Sequence, residues 1–344
     1  MNWWERLNGD PLSWLLEVDG ANPGVRYFAL KELLARPLTD PDLIAAQKAV
    51  METGPVPIIL KNQEPDGYWV KPGPGYYPKY TGTVWQIIFL AQLGADGRDT
   101  RVKAAGEYLL EQARAPNGGF SMDAKQTGEV HCLEGNLAAA LLDLGWLGDE
   151  RLAEALDWLA RSITGEGIAP AEERDAPVRY YRSGNSGPCF QCSANDHQPC
   201  AWGAVKAMLA LSKVPPAQRT PAIQAAIETG IDFLLGRDPA VADYPTWNDQ
   251  KPSQSWFRFG FPVFYVTDVL QNLEVLMALG YGQDARLKPA IELLLSYQDG
   301  NGRWPMKYTY NSKTWTDIEA KNQPSKWVTL RALRVLKRVD LGRG

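Results

Sequence analysis

Apolar and amphipathic helices alternate along this chain, and that alternation is the feature that most constrains its fold. Six segments rich in Ala and Leu place apolar residues at i, i+3, i+4 and i+7, the spacing of one helix face. They span about residues 24–36, 80–93, 132–145, 200–212, 265–280 and 325–337. Segments with one more highly charged face lie before and between them, at about residues 10–18, 41–62, 100–113, 150–163, 219–235 and 284–297. The pattern predicts six inner helices, each paired with a more polar outer helix.

Helix pairs that recur every 50–70 residues or so cannot bury their inner faces as an open row. Six pairs closed into a ring can bury them, so we predict an all-α fold, an (α/α)6 toroid whose inner helices line a central cavity. Gly/Pro-rich stretches at residues 71–78 and 184–199 then become loops at the rim of the ring. We therefore expect residues 1–344 to form a single domain.

A Gln/Gly/aromatic phrase recurs where an outer helix gives way to the loop before the next inner helix. It is clearest as QEPDGYW at residues 63–69 and as QDGNGRW at 298–304, and it is weaker as QARAPNGGF at 112–120. These phrases resemble the QW-type repeats of squalene–hopene cyclases and related terpene cyclases. The whole resembles the α/α toroid shared by the terpenoid cyclases and the β subunits of protein prenyltransferases. The resemblance covers about residues 20–338, and it implies an architecture and, more loosely, an isoprenoid or other apolar substrate.

Two motifs of those enzymes are missing from this chain. Cyclases of the protonating class use an Asp-x-Asp-Asp phrase whose middle Asp protonates an alkene, and the sequence contains no such phrase. Prenyltransferases bind a catalytic zinc through Asp, Cys and His, but no Asp-x-Cys occurs here and no second ligand cluster lies near the C-terminus. The resemblance therefore predicts the fold more strongly than it predicts either chemistry.

Composition and charge narrow the expected partners. Hydrophobic residues make up 45% and charged residues 22% of the chain, which allows a large core. A net charge of −4 without a Lys/Arg block disfavours nucleic acid and anionic membranes. The sequence has no 18-residue apolar stretch and no signal-peptide pattern at its start, so we expect no integral membrane segment and a cytoplasmic location. A small molecule is the expected partner, and the oligomeric state is not predicted.

The four cysteines and the two histidines favour one metal site. The candidate ligands are Cys132, Cys189, Cys192 and Cys200, with His131 and His197 as alternates. A CxxC pair followed by a third cysteine after seven intervening residues suits tetrahedral zinc. Thiols stay reduced in the cytoplasm, and the alternatives are two disulfides in an exported protein or unrelated buried cysteines.

The predicted ring brings Cys132 close to the other three cysteines, although it is distant from them in sequence. Cys132 begins the third inner helix and Cys200 begins the fourth, and helix N-termini favour thiolates. Four protein ligands leave no coordination position for water or substrate, so we expect one zinc per chain with a structural role. A catalytic zinc, or a site of three thiolates and one imidazole, is the alternative.

Aromatic residues concentrate on the inner helices and on the loops that precede them. As substrate-binding residues we single out Tyr80, Trp85, Trp202, Trp256, Phe259, Tyr265 and Trp327. Aromatic faces stabilise cations, so these side chains could form a wall facing the substrate. The alternative is core packing, which we expect for more than half of the aromatic residues.

Three carboxylates are candidate catalytic residues, namely Asp268, Glu134 and Asp317. Asp268 follows an aromatic run, where burial would raise its pKa as general-acid work requires. The alternative is that Asp268 caps the next helix. Asp317 and Glu319 could form a paired carboxylate with Asp268, as in toroids that cleave or eliminate sugars, or they could lie in a solvated loop.

These observations favour an enzyme that acts on an isoprenoid-like substrate in the central cavity. A carbohydrate-active toroid, either a hydrolase or a lyase, is the second interpretation, and a non-catalytic binding scaffold stapled by zinc is the third. Basic residues on the inner helices, Arg26, Lys206 and Lys326, could bind an anion or pair with the carboxylates. A deep apolar funnel would support the first interpretation, and a cavity filled by the protein's own side chains would support the third.

Overall fold

The computed structural model describes residues 3–167, 183–247 and 252–341, and the predicted all-α toroid is confirmed. The inner helices are α2 (Pro23–Phe28), α5 (Thr83–Leu93), α7 (His131–Asp143), α9 (Ala201–Lys213), α11 (Val269–Ala278) and α13 (Lys326–Leu341). The outer helices are α1 (Pro11–Leu16), α3 (Pro41–Glu52) with its continuation α4 (Pro55–Lys61), α6 (Thr100–Gln112), α8 (Glu150–Thr164), α10 (Pro221–Leu235) and α12 (Lys288–Ser296).

Each inner helix packs against the next one around the ring. Contacts run from α5 through α7, α9 and α11 to α13, and α13 contacts α2. Gly24 of α2 lies directly against the carbonyl of Leu93 at the end of α5, which completes the circuit. The inner helices are buried on nearly all sides, as expected for helices enclosed by a second layer.

Capping residues explain where several outer helices begin. Asp40, Asp99, Asp149 and Thr220 precede α3, α6, α8 and α10, and each side chain accepts a hydrogen bond from a backbone N–H of the first turn. A cap of this kind satisfies a donor that the helix itself cannot, and it typically stabilises the helix by about 1 kcal/mol.

Several predicted boundaries differ from the structure, and three of the differences concern how a helix is built. The outer helix expected at 41–62 is broken at Gly54, whose φ of +69° is incompatible with a continuous right-handed helix. The first inner helix changes to a π-helical turn at Ala29–Leu33. The fifth inner helix begins at Val269 instead of 265, because the apolar residues before it form a non-helical segment.

A short two-stranded hairpin stands before α9. Its strands are β1 (Gln191–Cys192) and β2 (Gln198–Pro199), which pair antiparallel with Cys192 opposite Gln198. The hairpin lies within the predicted rim loop and contains Cys192, while Cys189 precedes it and Cys200 directly follows it at the start of α9.

The two clearest Gln/Gly/Trp phrases make equivalent hydrogen bonds at opposite ends of the chain. The indole Nε1 of Trp69 donates to the carbonyl of Ile59 at 2.9 Å, and that of Trp304 donates to the carbonyl of Leu294 at 2.7 Å. Each tryptophan therefore fastens its loop to the end of the preceding outer helix.

No single helix in the described residues is long and apolar enough to cross a membrane. Helices α3 and α4 meet the length and composition criterion only when taken together, and they are bent by 42° where they meet.

Candidate functional site

A segment of the chain itself occupies the centre of the ring. Residues 260–266, here called the central segment, are held by side chains from the inner helices. The amide of Gln92 on α5 accepts from the backbone N–H of Val263 and donates to its carbonyl, both at 2.7 Å. Asn136 on α7 donates to the carbonyl of Phe264 at 3.1 Å. The predicted cavity is therefore partly filled by backbone.

Most of the predicted aromatic wall packs against other aromatic rings. Trp85 lies 5.0 Å from Tyr80 and 5.2 Å from Tyr265 between ring centroids. Trp327 stacks on Phe261 at 4.2 Å with the two planes 3° apart.

Four wall residues are buried and three are partly accessible. The buried ones are Trp85, Trp256, Phe259 and Trp327, while Tyr80, Trp202 and Tyr265 are half-buried. Core packing accounts for the four buried rings.

Asp268 caps α11 and pairs with an arginine. Its carboxylate accepts from the backbone N–H of Gln271 at 2.7 Å, and the guanidinium of Arg331 lies 3.2 Å away. Arg331 is 3% exposed, as a side chain, and it also pairs with Glu274 at 2.7 Å. Both oxygens of the carboxylate are therefore engaged by donors of the protein itself. The capping interpretation is confirmed, and the catalytic role of Asp268 stays a prediction without support from this geometry.

The other predicted acids lie in contrasting surroundings. Asp317 is exposed and accepts from the backbone N–H of Ser312 at 2.6 Å, which fits the solvated-loop interpretation. Glu319 accepts from the backbone N–H of Lys326 at 2.7 Å, so it caps the start of α13. Burial raises the pKa of Glu319. Glu134, in the first turn of α7, is fully buried, and neither of its oxygens has a hydrogen-bond partner among the described residues.

Three of the predicted zinc ligands come together at the starts of α7 and α9. Cys200 is the residue before α9, and the thiol of Cys192 on the hairpin forms a hydrogen bond with it, which lowers the pKa of Cys192 to about 6. Cys132 interacts electrostatically with both thiols, and burial raises its own pKa to about 12. The side chain of Cys189 is exposed.

The two alternate ligands lie in contrasting surroundings. The Nε2 atom of His131 is bonded to Ser162 Oγ at 2.9 Å, and burial lowers the pKa of His131 to about 3, so the ring is neutral. His197 is exposed, with its backbone N–H bonded to the carbonyl of Cys192 at 2.9 Å. Across residues 3–167, 183–247 and 252–341, no group of three or more His, Cys, Asp or Glu side chains is arranged to hold a metal ion. Zinc therefore stays a prediction.

A set of buried polar side chains on the inner helices was largely missed by the sequence analysis. Its members are Gln86, Asn136, Lys206, Gln271 and Arg331. The ammonium of Lys206 donates to Gln271 Oε1, and burial lowers the pKa of Lys206 to about 7. Each of these residues is a polar residue within an apolar helix, which was the sequence signal that could have found them. Of the five, only Lys206 was named as a candidate. Of the other two basic candidates, Arg26 pairs with Asp42 at 3.5 Å and Lys326 with Glu17 at 3.2 Å.

An open funnel of about 510 Å³ lies at the carboxyl-terminal side of the inner helices. All six inner helices contribute to its wall, and Phe261 and Val263 of the central segment also line it. Five basic and three acidic side chains line it: Lys31, Lys213, Arg331, Arg334, Arg338, Glu32, Asp143 and Glu274. The space that the ring leaves open is therefore polar and carries an excess of two positive charges.

Solved structures share the overall architecture at low sequence identity. A glycosyl hydrolase of family 88 from Bacteroides vulgatus is 12% identical, with 100% of this chain and 99% of that chain covered and a TM-score of 0.51. An unsaturated glucuronyl hydrolase specific for heparin is 12% identical over 97% of this chain and 87% of that chain, with a TM-score of 0.50. The type II terpene cyclase MstE from Scytonema is 17% identical over 83% of this chain and 96% of that chain, with a TM-score of 0.34. The sequence matches no family model. At 12% identity the likeness to the two hydrolases extends to the α/α toroid fold and no further.

Proposed function

We propose that this protein is a toroidal binding protein that holds a small polar molecule, bearing a carboxylate or phosphate group, in its central funnel. The observation that carries this proposal is the funnel wall, to which every inner helix contributes and in which basic side chains outnumber acidic ones. Concave sites with a few convergent polar groups are the usual ligand sites of proteins.

The depth of the arginines supports a ligand role. Cations near helix C-termini also offset the helix dipole, which would account for Arg338 at the mouth without any ligand. Arg331 and Arg334, however, are the sixth and ninth of the sixteen residues of α13, so they lie well inside the funnel. Arg334 pairs with Glu32 and lies over the ring of Phe28, with 4.6 Å between the guanidinium carbon and the ring centroid. An anion of the ligand would compete with Glu32 for this guanidinium.

An isoprenoid substrate fits the observed space less well. The aromatic rings predicted to surround it are largely packed against one another, and the open funnel has a charged wall. A hydrocarbon chain there would bury charged groups without giving them partners. The proposal therefore follows the binding-scaffold interpretation and not the cyclase interpretation.

The test compares three probes on the full chain. We expect glucuronate or inorganic phosphate, but not geranylgeraniol, to bind in isothermal titration calorimetry. Glucuronate is included because one solved structure of similar fold is that of an unsaturated glucuronyl hydrolase. Ala278→Trp would fill the funnel mouth and abolish binding, whereas Ala225→Trp on the exposed face of α10 would not.

A second pair of variants tests the charge. Arg334→Gln should weaken binding of the anionic probe by about tenfold or more, because a charge-assisted hydrogen bond is lost. Arg286→Gln, an exposed arginine on the outer side, is the matched control. Binding of geranylgeraniol alone, or anion binding that survives Ala278→Trp, would overturn the proposal.

We further propose that Cys132, Cys189, Cys192 and Cys200 bind one structural zinc. Support comes from the convergence of three thiols where α7 and α9 begin, and thiolates are preferred zinc ligands. Elemental analysis of the purified chain should give about one zinc per molecule. Cys189→Ser should lose the zinc together with much thermal stability, while Ala194→Ser in the same hairpin should keep both. A metal-free protein of equal stability would contradict this proposal.

A further inference from the structure

A second cluster of chemistry-bearing side chains lies in the loop between α6 and α7. Glu129, just before α7, and Glu134, in its first turn, are both 0% exposed. The Asn117 amide lies beside Glu129 and the backbone N–H of Phe120 lies beside Glu134, yet none of the four carboxyl oxygens has a complete hydrogen bond among the described residues.

The surroundings of Gly119 show that the two carboxyl groups lie close to each other. A Cβ atom built on Gly119 would lie 2.8 Å from Glu129 Oε1 and 2.9 Å from Glu134 Oε1. The two oxygens are therefore at most 5.7 Å apart, the sum of those distances. The same point is 2.7 Å from Cδ2 of Trp158 on α8. Two carboxyl groups and one indole thus converge on this glycine.

Neutral polar groups at this place also lack partners. The indole Nε1 of Trp158, a residue that is 0% exposed, has no acceptor, and both amide atoms of Asn117 are buried and unpartnered. Together the four side chains account for seven of the thirteen buried, unpartnered side-chain atoms in the described part of the chain. A buried polar atom without a partner has lost its hydration without gaining a hydrogen bond, which destabilises the fold. That concentration points to an occupant that the protein chain does not supply.

We propose that Glu129, Glu134 and the Oδ1 atom of Asn117 bind a divalent cation of the hard, oxygen-preferring class, Ca²⁺ or Mg²⁺. Two carboxylates balance its charge, and carboxylate and amide oxygens are the ligands that these ions prefer. The Trp158 N–H and the Asn117 Nδ2 group then donate to carboxylate oxygens that do not face the ion. Water completes the coordination.

This cation site differs from the cysteine cluster in both ligands and role. Its ligands are oxygens, while those of the proposed zinc are sulfurs, so the two sites select different ions. Glu129 belongs to the loop and Glu134 to α7, and Trp158 extends from α8. The cation would therefore fasten the loop between α6 and α7 to one inner and one outer helix.

The experiment titrates the full chain with Ca²⁺, Mg²⁺ and Tb³⁺ after chelation and return of zinc. We expect saturable binding of Ca²⁺ or Mg²⁺ with a rise in Tm. Tb³⁺, which takes calcium sites, should show luminescence sensitised through tryptophan, and Trp158→Phe should reduce that luminescence while binding persists. The relative effects of Ca²⁺ and Mg²⁺ distinguish a roomy, flexible site from a small octahedral one.

Matched variants separate this site from general binding to a negatively charged surface. Glu129→Gln and Glu134→Gln replace each buried carboxyl with a neutral group of the same shape and should weaken binding by roughly tenfold or more. Glu228→Gln, on the exposed face of α10, should leave it unchanged. If neither ion binds the unmodified chain, or if binding survives both glutamine variants, the inference is wrong, and the first result does not require any variant to fold.

Discussion

At the scale of the residue, Lys206 makes the stability of the protein depend on pH, because this buried side chain changes its charge near neutral pH. Burial lowers its pKa to about 7, against the opposing effect of the charge on Asp268. Moving the pKa from an ordinary 10.5 to about 7 corresponds to a penalty on the order of 5 kcal/mol for the charged form in the folded protein.

The sign of the pH dependence follows from that shift. Because the folded pKa is below the unfolded one, the penalty is fully present below about pH 7. It shrinks as the pH rises towards 10.5, where the unfolded chain also loses the proton. We expect Lys206→Met to raise the free energy of unfolding by roughly 1–3 kcal/mol at pH 6, because the variant has no buried charge. The gain is smaller than the full penalty, since Gln271 Oε1 loses its donor.

Urea unfolding at several pH values measures this effect. The gain should fall between pH 7 and 10.5, and Lys288→Met on the exposed start of α12 should show no such trend. A loss of stability in Lys206→Met at every pH would mean that the ammonium is stabilised by its neighbours.

Residue-level predictions from sequence succeeded where local pattern decides the outcome. Asp268 stands directly before an apolar helix, which is the position of a capping residue, and the structure shows that bond. Its partner Arg331 lies 63 residues further along the chain, so no local pattern connects the two. The partners of Lys206 and the meeting of Glu129 with Glu134 above Gly119 depend likewise on how the ring brings distant elements together.

At the scale of the element, the closest packing is between α7 and α9. A Cβ atom on Gly135 would lie 2.1 Å from the backbone carbonyl of Lys206, which is closer than atoms can approach. Only glycine lets these two inner helices lie so near each other.

We expect Gly135→Ala to destabilise the protein by at least about 2 kcal/mol, because the two helices must separate to admit the methyl group. Gly20→Ala is the control, since a Cβ there has no neighbour within 4 Å. Thermal unfolding of the two variants provides the comparison. An unchanged Tm for Gly135→Ala would show that α7 and α9 can shift without loss.

Element boundaries were predictable where helical periodicity and helix signals agree. The inner helices α7 and α9 begin and end within two residues of their predicted limits. The start of α11 was misplaced because the run before it is apolar and aromatic, like a buried helix, yet it crosses the ring as the central segment. A buried helix and a buried non-helical segment have the same apolar composition here. Only the way in which distant helices pack around the segment distinguishes the two.

At the scale of the whole molecule, the Gln residues of the two clearest phrases join neighbouring outer elements. Gln63 donates to the carbonyl of Arg101 on α6 at 2.9 Å. Gln298 donates to the carbonyl of Arg6 at 3.0 Å and accepts from the N–H of Asn8 at 2.9 Å. Gln63 therefore links its phrase to the next outer helix, and Gln298 links its phrase to the beginning of the chain in the same way.

We expect Gln63→Leu and Gln298→Leu each to lower the free energy of unfolding by about 1–3 kcal/mol. Both should retain one cooperative transition in urea if the ring unfolds as a unit. Gln224→Leu, on the exposed face of α10, should have little effect. Two separate transitions in Gln298→Leu would show that the ring can open without unfolding.

The bonds of Gln298 to Arg6 and Asn8 also bear on the order of events during synthesis. They join residues 292 and 290 positions apart, and Trp327 on α13 donates to Asn22 across 305 positions. Contacts of such long range form slowly, because most of the chain must be ordered before its ends meet. On the ribosome, α2 emerges long before α13 and waits with its inner face uncovered until the final helix is complete. The contacts between the two ends of the chain stabilise the finished ring, but they form last. Until then the nascent chain exposes apolar helix faces and is prone to aggregation.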